Sequence, residues 1–187
     1  MSIKRKILNL IRKAAGTGYV TSDDIKRRGG VVGQGCAIYT NKIDLAHANL
    51  LTIGDNCTIS DARILLHDAS TVRGLGYSKV GRITIGNEVF VGADAIILPN
   101  VSIGNNVIIA AGAVVTKDVP NNSLVAGNPA RVIGTYAYYL DRQEVALKES
   151  HCYHTHHSKR TMEELIKMRN DLIEGGFGYE NGGKKEK

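Results

Sequence analysis

The sequence predicts an all-β fold, a coil of short parallel strands stacked along one axis, with short helices at its N- and C-terminal ends. Three observations carry this reading. Aliphatic residues recur every six positions, at Ile53, Ile59 and Leu65, and again at Ile85, Val91, Ile97, Ile103, Ile109 and Val115. The residue after each is often small (Gly54, Ser60, Gly86, Gly92, Gly104, Ala110). The fourth beyond is usually small or β-branched (Ala69, Val89, Ala95, Val101, Val107, Ala113, Val119), with Arg63 the clear exception. Finally, the series is interrupted between Leu65 and Ile85, whose separation is not a multiple of six.

A period of six is neither the 3.6 of a helix nor the alternation of an ordinary strand. It describes a short strand and a turn, repeated, with one side chain per repeat aimed at a shared axis. Such repeats stack, because each buries its apolar face against its neighbour. A β-sandwich would instead show longer strands, with turn signals about every 8–12 residues. Gly86-Asn87 and Gly104-Asn105-Asn106 are expected to supply the positive φ angles of tight corners. The interruption implies that residues 71–82 leave the coil as a loop carrying Arg73, Gly74, Gly76, Tyr77 and Lys79. Long loops on rigid scaffolds are where binding groups commonly sit.

Taken in order, the chain reads as three segments. Residues 1–28 form an N-terminal amphipathic helical segment, 29–133 the coil, and 134–187 a C-terminal extension with one helix and a disordered tail. Ile3, Ile7, Leu10, Ile11 and Ala14 make one stripe of a helix over residues 2–14, with basic residues opposite. Two roles fit that helix: packing on the open end of the coil, or contact with an anionic membrane surface. Thr161-Met162-Glu163-Glu164 reads as a capping box. It opens a helix through Met162, Leu165, Ile166, Leu172 and Ile173 that stops at Gly175-Gly176. Residues 181–187 read as disordered.

Composition narrows the function. Tryptophan is absent and Phe occurs twice, so Ile, Val, Leu and Ala must fill the interior. The net charge is +6, and residues 1–28 account for all of it, with eight basic residues against Asp23 and Asp24. A basic terminal segment is not a nucleic-acid groove along the fold, so no nucleic-acid partner is expected. Cys36, Cys57 and Cys152 are few and odd in number, which argues against a disulfide framework and for a reducing cytoplasm. No stretch approaches the roughly 20 apolar residues of a membrane span, and the basic N-terminus lacks the apolar run of a signal peptide.

The hexads are joined by the run Val115-Thr116-Lys117-Asp118-Val119-Pro120 and by Ala126-Gly127-Asn128-Pro129-Ala130-Arg131-Val132-Ile133. Together they resemble the hexapeptide-repeat acyltransferases. The stretch from His67 through its loop to Ile85-Gly86 is most similar to the maltose and galactoside O-acetyltransferases and their polysaccharide-modifying relatives. The resemblance implies a left-handed parallel β-helix with three hexads per turn, assembled as a homotrimer with active sites between subunits. It further implies acetyl-coenzyme A as co-substrate along the coil edges, an acceptor entering from the loop side, and no required metal. The sugar-binding residues of those relatives have no match here, so the acceptor stays open.

Acetyl transfer to an alcohol needs a base that can take and return a proton near neutral pH, a task suited to histidine. The family's catalytic histidine matches His67, at the third residue of its hexad and so near a corner. Asp68 beside it could orient the ring, and a backbone carbonyl would serve equally. Thioester attack builds charge on the carbonyl oxygen, and by resemblance the amide of Ala93 meets it. Ala111, one full coil later, is matched to the pantetheine arm. Thr116 and Lys117 match positions that contact coenzyme A, and Lys117 or Arg131 could pair with its phosphates. Phe90 sits where relatives carry an aromatic near the acceptor. Tyr77, on the loop, and Asp68 complete the acceptor-side candidates. Each also has a plain structural reading: small corner residues, solvated charges, an outward stacking ring.

Cys57 falls at an inward repeat position and Cys36 and Cys152 have no evident partner, so direct transfer in a ternary complex is expected over a covalent thiol route. Four histidines cluster in His151-Cys152-Tyr153-His154-Thr155-His156-His157, which reads as a polar surface loop ahead of a metal site. Two rivals share the scaffold. A zinc hydro-lyase of the gamma carbonic anhydrase type needs three converging histidines, where the coil offers only His47 and His67. A non-catalytic scaffold would have no use for His67, its loop and Thr116-Lys117. The preferred acceptor is a saccharide hydroxyl, with an amino-sugar nitrogen or a drug hydroxyl as alternatives.

Overall fold

The structure, a computed structural model, describes residues 18–182. The helix expected over 2–14 and residues 183–187 of the expected disordered tail lie outside them. Of that tail Asn181 and Gly182 are described, and the Asn181 N–H donates to the Tyr153 carbonyl at 2.9 Å. The chain forms two compact units that divide between Tyr136 and Ala137. None of the described helices is long and apolar enough to cross a membrane.

The first unit is a parallel β-helix whose strands lie on three faces. Val31–Val32, Leu51–Ile53, Ile83–Ile85 and Ser102–Ile103 form one face. Ala37–Tyr39, Thr58–Ser60, Val89–Val91, Val107–Ile109 and Ser123–Ala126 form the second. Arg63–Ile64, Ile96–Ile97 and Val114–Val115 form the third. All of these pair in parallel, with Ile103 on Ile85, Val107 on Val89 and Val115 on Ile97. Each partner lies three hexads on, so one turn of coil is three repeats. Arg131–Thr135 closes the stack by pairing antiparallel with Ser123–Ala126. Near the other end the short helix Ser22–Lys26 buries Ile25 completely, and a reciprocal Thr21–Asp24 capping box fixes its start.

The six-residue series is the core. Ile53, Ile59, Ile85, Val91, Ile97, Ile103, Ile109 and Val115 are all buried, and so are Val89, Ala95, Val101, Val107, Ala113 and Val119 two positions before the next inward residue. A fully buried side chain of this size contributes roughly 1.5–3 kcal/mol. Leu65 is the exception. Ile64 and Leu66 point inward and Leu65 is only half-buried. The corner after Ile59 is one residue short, so Ala62 takes the inward place expected for position 63 and Arg63 turns outward. One deletion explains both irregularities of the sequence pattern.

The corners also differ from expectation. Of the residues expected to take positive φ, Asn106 does and Gly86, Asn87, Gly104 and Asn105 do not; among the non-glycine residues it falls also on Asn56, Asp61, Glu88, Asp94, Asn100 and Asn122. Gly86 is required for space instead: a Cβ there would lie 2.7 Å from the Gly104 carbonyl oxygen of the next coil. Asn87 and Asn105 build a side-chain ladder along that edge. The Asn87 Oδ1 accepts the Asp55 N–H at 2.8 Å, Asn105 Oδ1 the Asn87 N–H at 2.7 Å, and Asn121 Oδ1 the Asn105 N–H at 2.7 Å. Each rung satisfies a backbone donor that the turn would otherwise leave unpaired.

The second unit holds more helix than the sequence suggested. Tyr136–Glu149 is a 14-residue helix with no buried residue, so no apolar stripe announced it. The expected helix spans Met162–Asp171, and its capping box is complete, with Thr161 and Glu164 each bonding the other's backbone N–H. His151–Tyr153 and Gly178–Glu180 pair in parallel beside it. The buried Arg160 pairs with Glu180 at 2.6 Å.

Candidate active site

His67 stands at the mouth of the extruded loop. Residues His67–Asp68 leave the coil and pair antiparallel with Lys79–Val80, so the segment between them projects as a short hairpin. The helical turn Val72–Leu75 in that hairpin has no buried residue, and Tyr77 is 79% exposed. The loop expected over residues 71–82 is therefore present and reaches into solvent.

The partner of His67 was not foreseen. Its Nδ1 is hydrogen-bonded to Asp44 Oδ2. Asp68 does not orient the ring: its carboxylate pairs with Lys79 Nζ at 2.6 Å and accepts the Ser70 N–H at 2.8 Å. The Lys79 ammonium, with help from Ser70, holds the Asp68 carboxyl far below the usual carboxylate range. Asp68 is thus committed to the hairpin.

Asp44 arrives beside His67 through coil stacking. Ile43 bridges in parallel to Ile64, and the Asp44 N–H donates to the Ile64 carbonyl at 3.1 Å. The next residues, Leu45–Leu50, form a 3₁₀ turn inserted into this coil, and it carries His47. His47 Nδ1 lies 3.0 Å from the same Asp44 Oδ2, and the two rings sit 4.8 Å apart. The Asp44 side chain is 8% exposed, against 39% for His67. Burial alone would raise the Asp44 carboxyl, but the hydrogen bonds from His67 and His47 outweigh it and leave it below the usual range. A carboxylate accepts only, so the proton of each neutral ring must sit on Nδ1 and each Nε2 keeps its lone pair. A histidine so held is a positioned proton acceptor.

Ala93 and Ala111 occupy successive coils of one corner, both exposed, and the Gly112 N–H donates to the Ala93 carbonyl at 2.9 Å. Among the described residues no acceptor takes the N–H of either alanine. The glycine before Ala93 permits this stacking, because a Cβ on Gly92 would lie 2.6 Å from the Ala111 nitrogen. Thr116, Lys117 and Arg131 are exposed in the last coils, with the Arg131 guanidinium donating to the Ala130 carbonyl at 2.8 Å. Phe90 is exposed on the second face.

Cys57 is fully buried, and burial pushes its thiol up to about 11, so it stays protonated near neutrality. In the tail cluster His156 Nδ1 lies 2.8 Å from Ser158 Oγ and its ring stacks on His157 at 4.1 Å. Among the described residues the group able to offer three metal-ligand atoms is Asp44, His47 and His67.

The chain is similar to several known proteins. The family "Bacterial transferase hexapeptide (six repeats)" matches residues 82–117. Protein CapG of Staphylococcus aureus is 38% identical over 146 residues, covering 73% of this chain and 81% of that protein. A putative acetyltransferase, YvoF of Bacillus subtilis (strain 168), is 38% identical over 98 residues, covering 52% of this chain and 49% of that protein. Among solved structures, a maltose O-acetyltransferase from Clostridium difficile 630 aligns with a TM-score of 0.46 and 26% identity, over 59% of this chain and 72% of that one.

Proposed function

The chain belongs to the hexapeptide-repeat transferases and is an acyltransferase, and from that premise we propose that it moves an acetyl group from acetyl-coenzyme A to a saccharide hydroxyl with His67 as general base. The observation that carries the reading is the His67–Asp44 pair at the mouth of an exposed loop. It fixes one tautomer and leaves Nε2 free to accept a proton.

The reaction runs in one ternary complex. The acceptor oxygen attacks the thioester carbonyl carbon while its proton passes to His67 Nε2. The buried Asp44 carboxylate holds the ring and stabilises the imidazolium that forms. The Ala93 N–H, which has no partner among the described residues, meets the oxyanion. The intermediate collapses by breaking the carbon–sulfur bond, and the coenzyme A thiolate recovers the proton from His67. No thiol on the protein is called on, in keeping with the buried, protonated Cys57.

In this reading the coil is left-handed and three chains assemble, with sites between subunits. Ala111 lines the pantetheine arm, and Thr116, Lys117 and Arg131 meet the coenzyme A end. Tyr77 and Phe90 stand on the acceptor side. Asp68 acts there only through the hairpin it fastens to Lys79. The free cysteines and the use of acetyl-coenzyme A fit a cytoplasmic setting.

The test is thiol release from acetyl-coenzyme A across a panel of sugars, with wild type and His67→Ala side by side. Acceptor-dependent turnover should fall by about 10² or more in the variant, the scale of a lost general base. Equal turnover in the two proteins would remove His67 from the mechanism.

A further inference from the structure

The mechanism uses one imidazole of a pair. His47 contributes nothing to it, yet its Nδ1 shares the Asp44 oxygen with His67, and the three residues each offer a ligand atom within 4.8 Å of the other two. We propose that Asp44, His47 and His67 form a binding site for a divalent cation of the zinc class, and that the bound ion silences acyl transfer. The silencing rests on His67 as base; the binding does not.

The donor set fits the ion. Two imidazole nitrogens and one carboxylate oxygen suit zinc, which takes three protein ligands and leaves a fourth position to water. Ligand bonds of about 2.0–2.2 Å place tetrahedral neighbours roughly 3.3 Å apart. His47 Nδ1 is already 3.0 Å from Asp44 Oδ2, so that edge opens by only a few tenths of an ångström. The His67–Asp44 edge adjusts by a rotation of the His67 ring, whose side chain is 39% exposed.

Charge supports the same conclusion. The Asp44 carboxylate is 8% exposed, and among the described residues its ion-pair partners are these two rings alone. With both rings neutral a buried negative charge is met only by dipoles, which favours a cation entering beside it. The tail histidines offer no equivalent: His156 Nδ1 is engaged by Ser158, and no three-donor group forms there among the described residues.

The ion blocks the base by moving a proton. A neutral imidazole bound through Nδ1 carries its hydrogen on Nε2. Each ring therefore shifts its proton from Nδ1 to Nε2 through solvent, with none released overall. His67 Nε2 then donates where the reaction needs it to accept. The carboxylate that set the active tautomer becomes a ligand of the inhibitor.

The experiment is equilibrium dialysis of the metal-free, untagged full chain against Zn²⁺, with Co²⁺ absorption reporting ligand geometry. One ion per chain is expected in the wild type. His47→Gln and Asp44→Asn should each weaken binding by more than about 10-fold, the least that loss of even an outer-sphere partner costs. Joint replacement of His154, His156 and His157 by Gln should leave that ion in place. Melting curves confirm that each variant is folded. Absent binding, unchanged affinity in both site variants, or loss only in the tail variant overturns the proposal. In the activity arm, Zn²⁺ should suppress wild-type turnover and EDTA restore it. If the ion binds at this site and turnover is undiminished, the silencing is overturned while the site stands. His67→Ala turnover decides separately whether His67 is the base.

Discussion

A neutral imidazole is a base only at the nitrogen without the proton, so whatever sits at Nδ1 decides whether His67 can act. In the proposed mechanism Asp44 does this by charge and by placement: its buried oxygen accepts from Nδ1 and stabilises the imidazolium formed when Nε2 takes a proton. Asp44→Asn keeps the shape and removes the charge, and its amide can present N–H to the ring and reverse the tautomer. We expect kcat to fall about 10²- to 10⁴-fold, as when a triad carboxylate is neutralised, with little change in KM for acetyl-coenzyme A. Steady-state kinetics in both substrates would check this. A raised KM at constant kcat would mean that Asp44 supports binding and not proton transfer. His67 could be named as a candidate from the sequence because it sits in a recognisable stretch ahead of a break in the repeat. Asp44 could not, since it stands on a different coil and is brought there by the stacking of Ile43 and Asp44 on Ile64.

At the scale of the coil, each turn is held by what it places above and below itself, and glycine positions record how close those layers come. A Cβ on Gly86 would lie 2.7 Å from the Gly104 carbonyl oxygen, and one coil earlier a Cβ on Gly54 would lie 2.7 Å from the Gly86 carbonyl oxygen and 2.3 Å from the Asn87 Oδ1. Gly86→Ala must therefore push backbone from backbone. We expect a loss of about 1–3 kcal/mol, read as a fall of several degrees in the thermal midpoint. Gly74→Ala is the control, because a Cβ there meets nothing within 4 Å, and its midpoint should stay near wild type. Equal midpoints for the two variants would refute the close-packing account. The same stacking explains what the sequence could and could not disclose. One inward side chain per hexad is a local rule, so the core from Ile85 to Val115 was legible residue by residue. Two local departures were not. The short corner after Ile59 moved Ile64 into the place expected for Leu65, and the 3₁₀ turn Leu45–Leu50 lengthened its coil and hid the neighbour of His67. The helix Tyr136–Glu149 escaped notice because it buries no residue and so carries no periodic stripe.

For the whole molecule, the question is what the outward faces are for. On the first face the outward column is Val31, Thr52, Thr84 and Ser102, mostly polar and suited to water. The second face turns out Thr58, Phe90, Ile108 and Leu124, and the third turns out Ile96 and Val114 beside Arg63. In an isolated chain Ile96, Ile108, Val114 and Leu124 are half-buried and Phe90 is 45% exposed. Contiguous apolar surface of this kind marks an association site, and closed symmetry is the usual outcome for identical chains. The trimer of the proposed function gives this association a number, and light scattering should then read about 61 kDa for three copies of a 20.2 kDa chain. Ile108→Glu places a charge in the middle of the second column and should release monomers. If active sites lie between subunits, those monomers lose turnover although the Asp44–His67 pair within each chain is intact. A wild type that stays monomeric across concentration would end the trimer proposal. A monomeric Ile108→Glu with full activity would instead place the whole site within one chain.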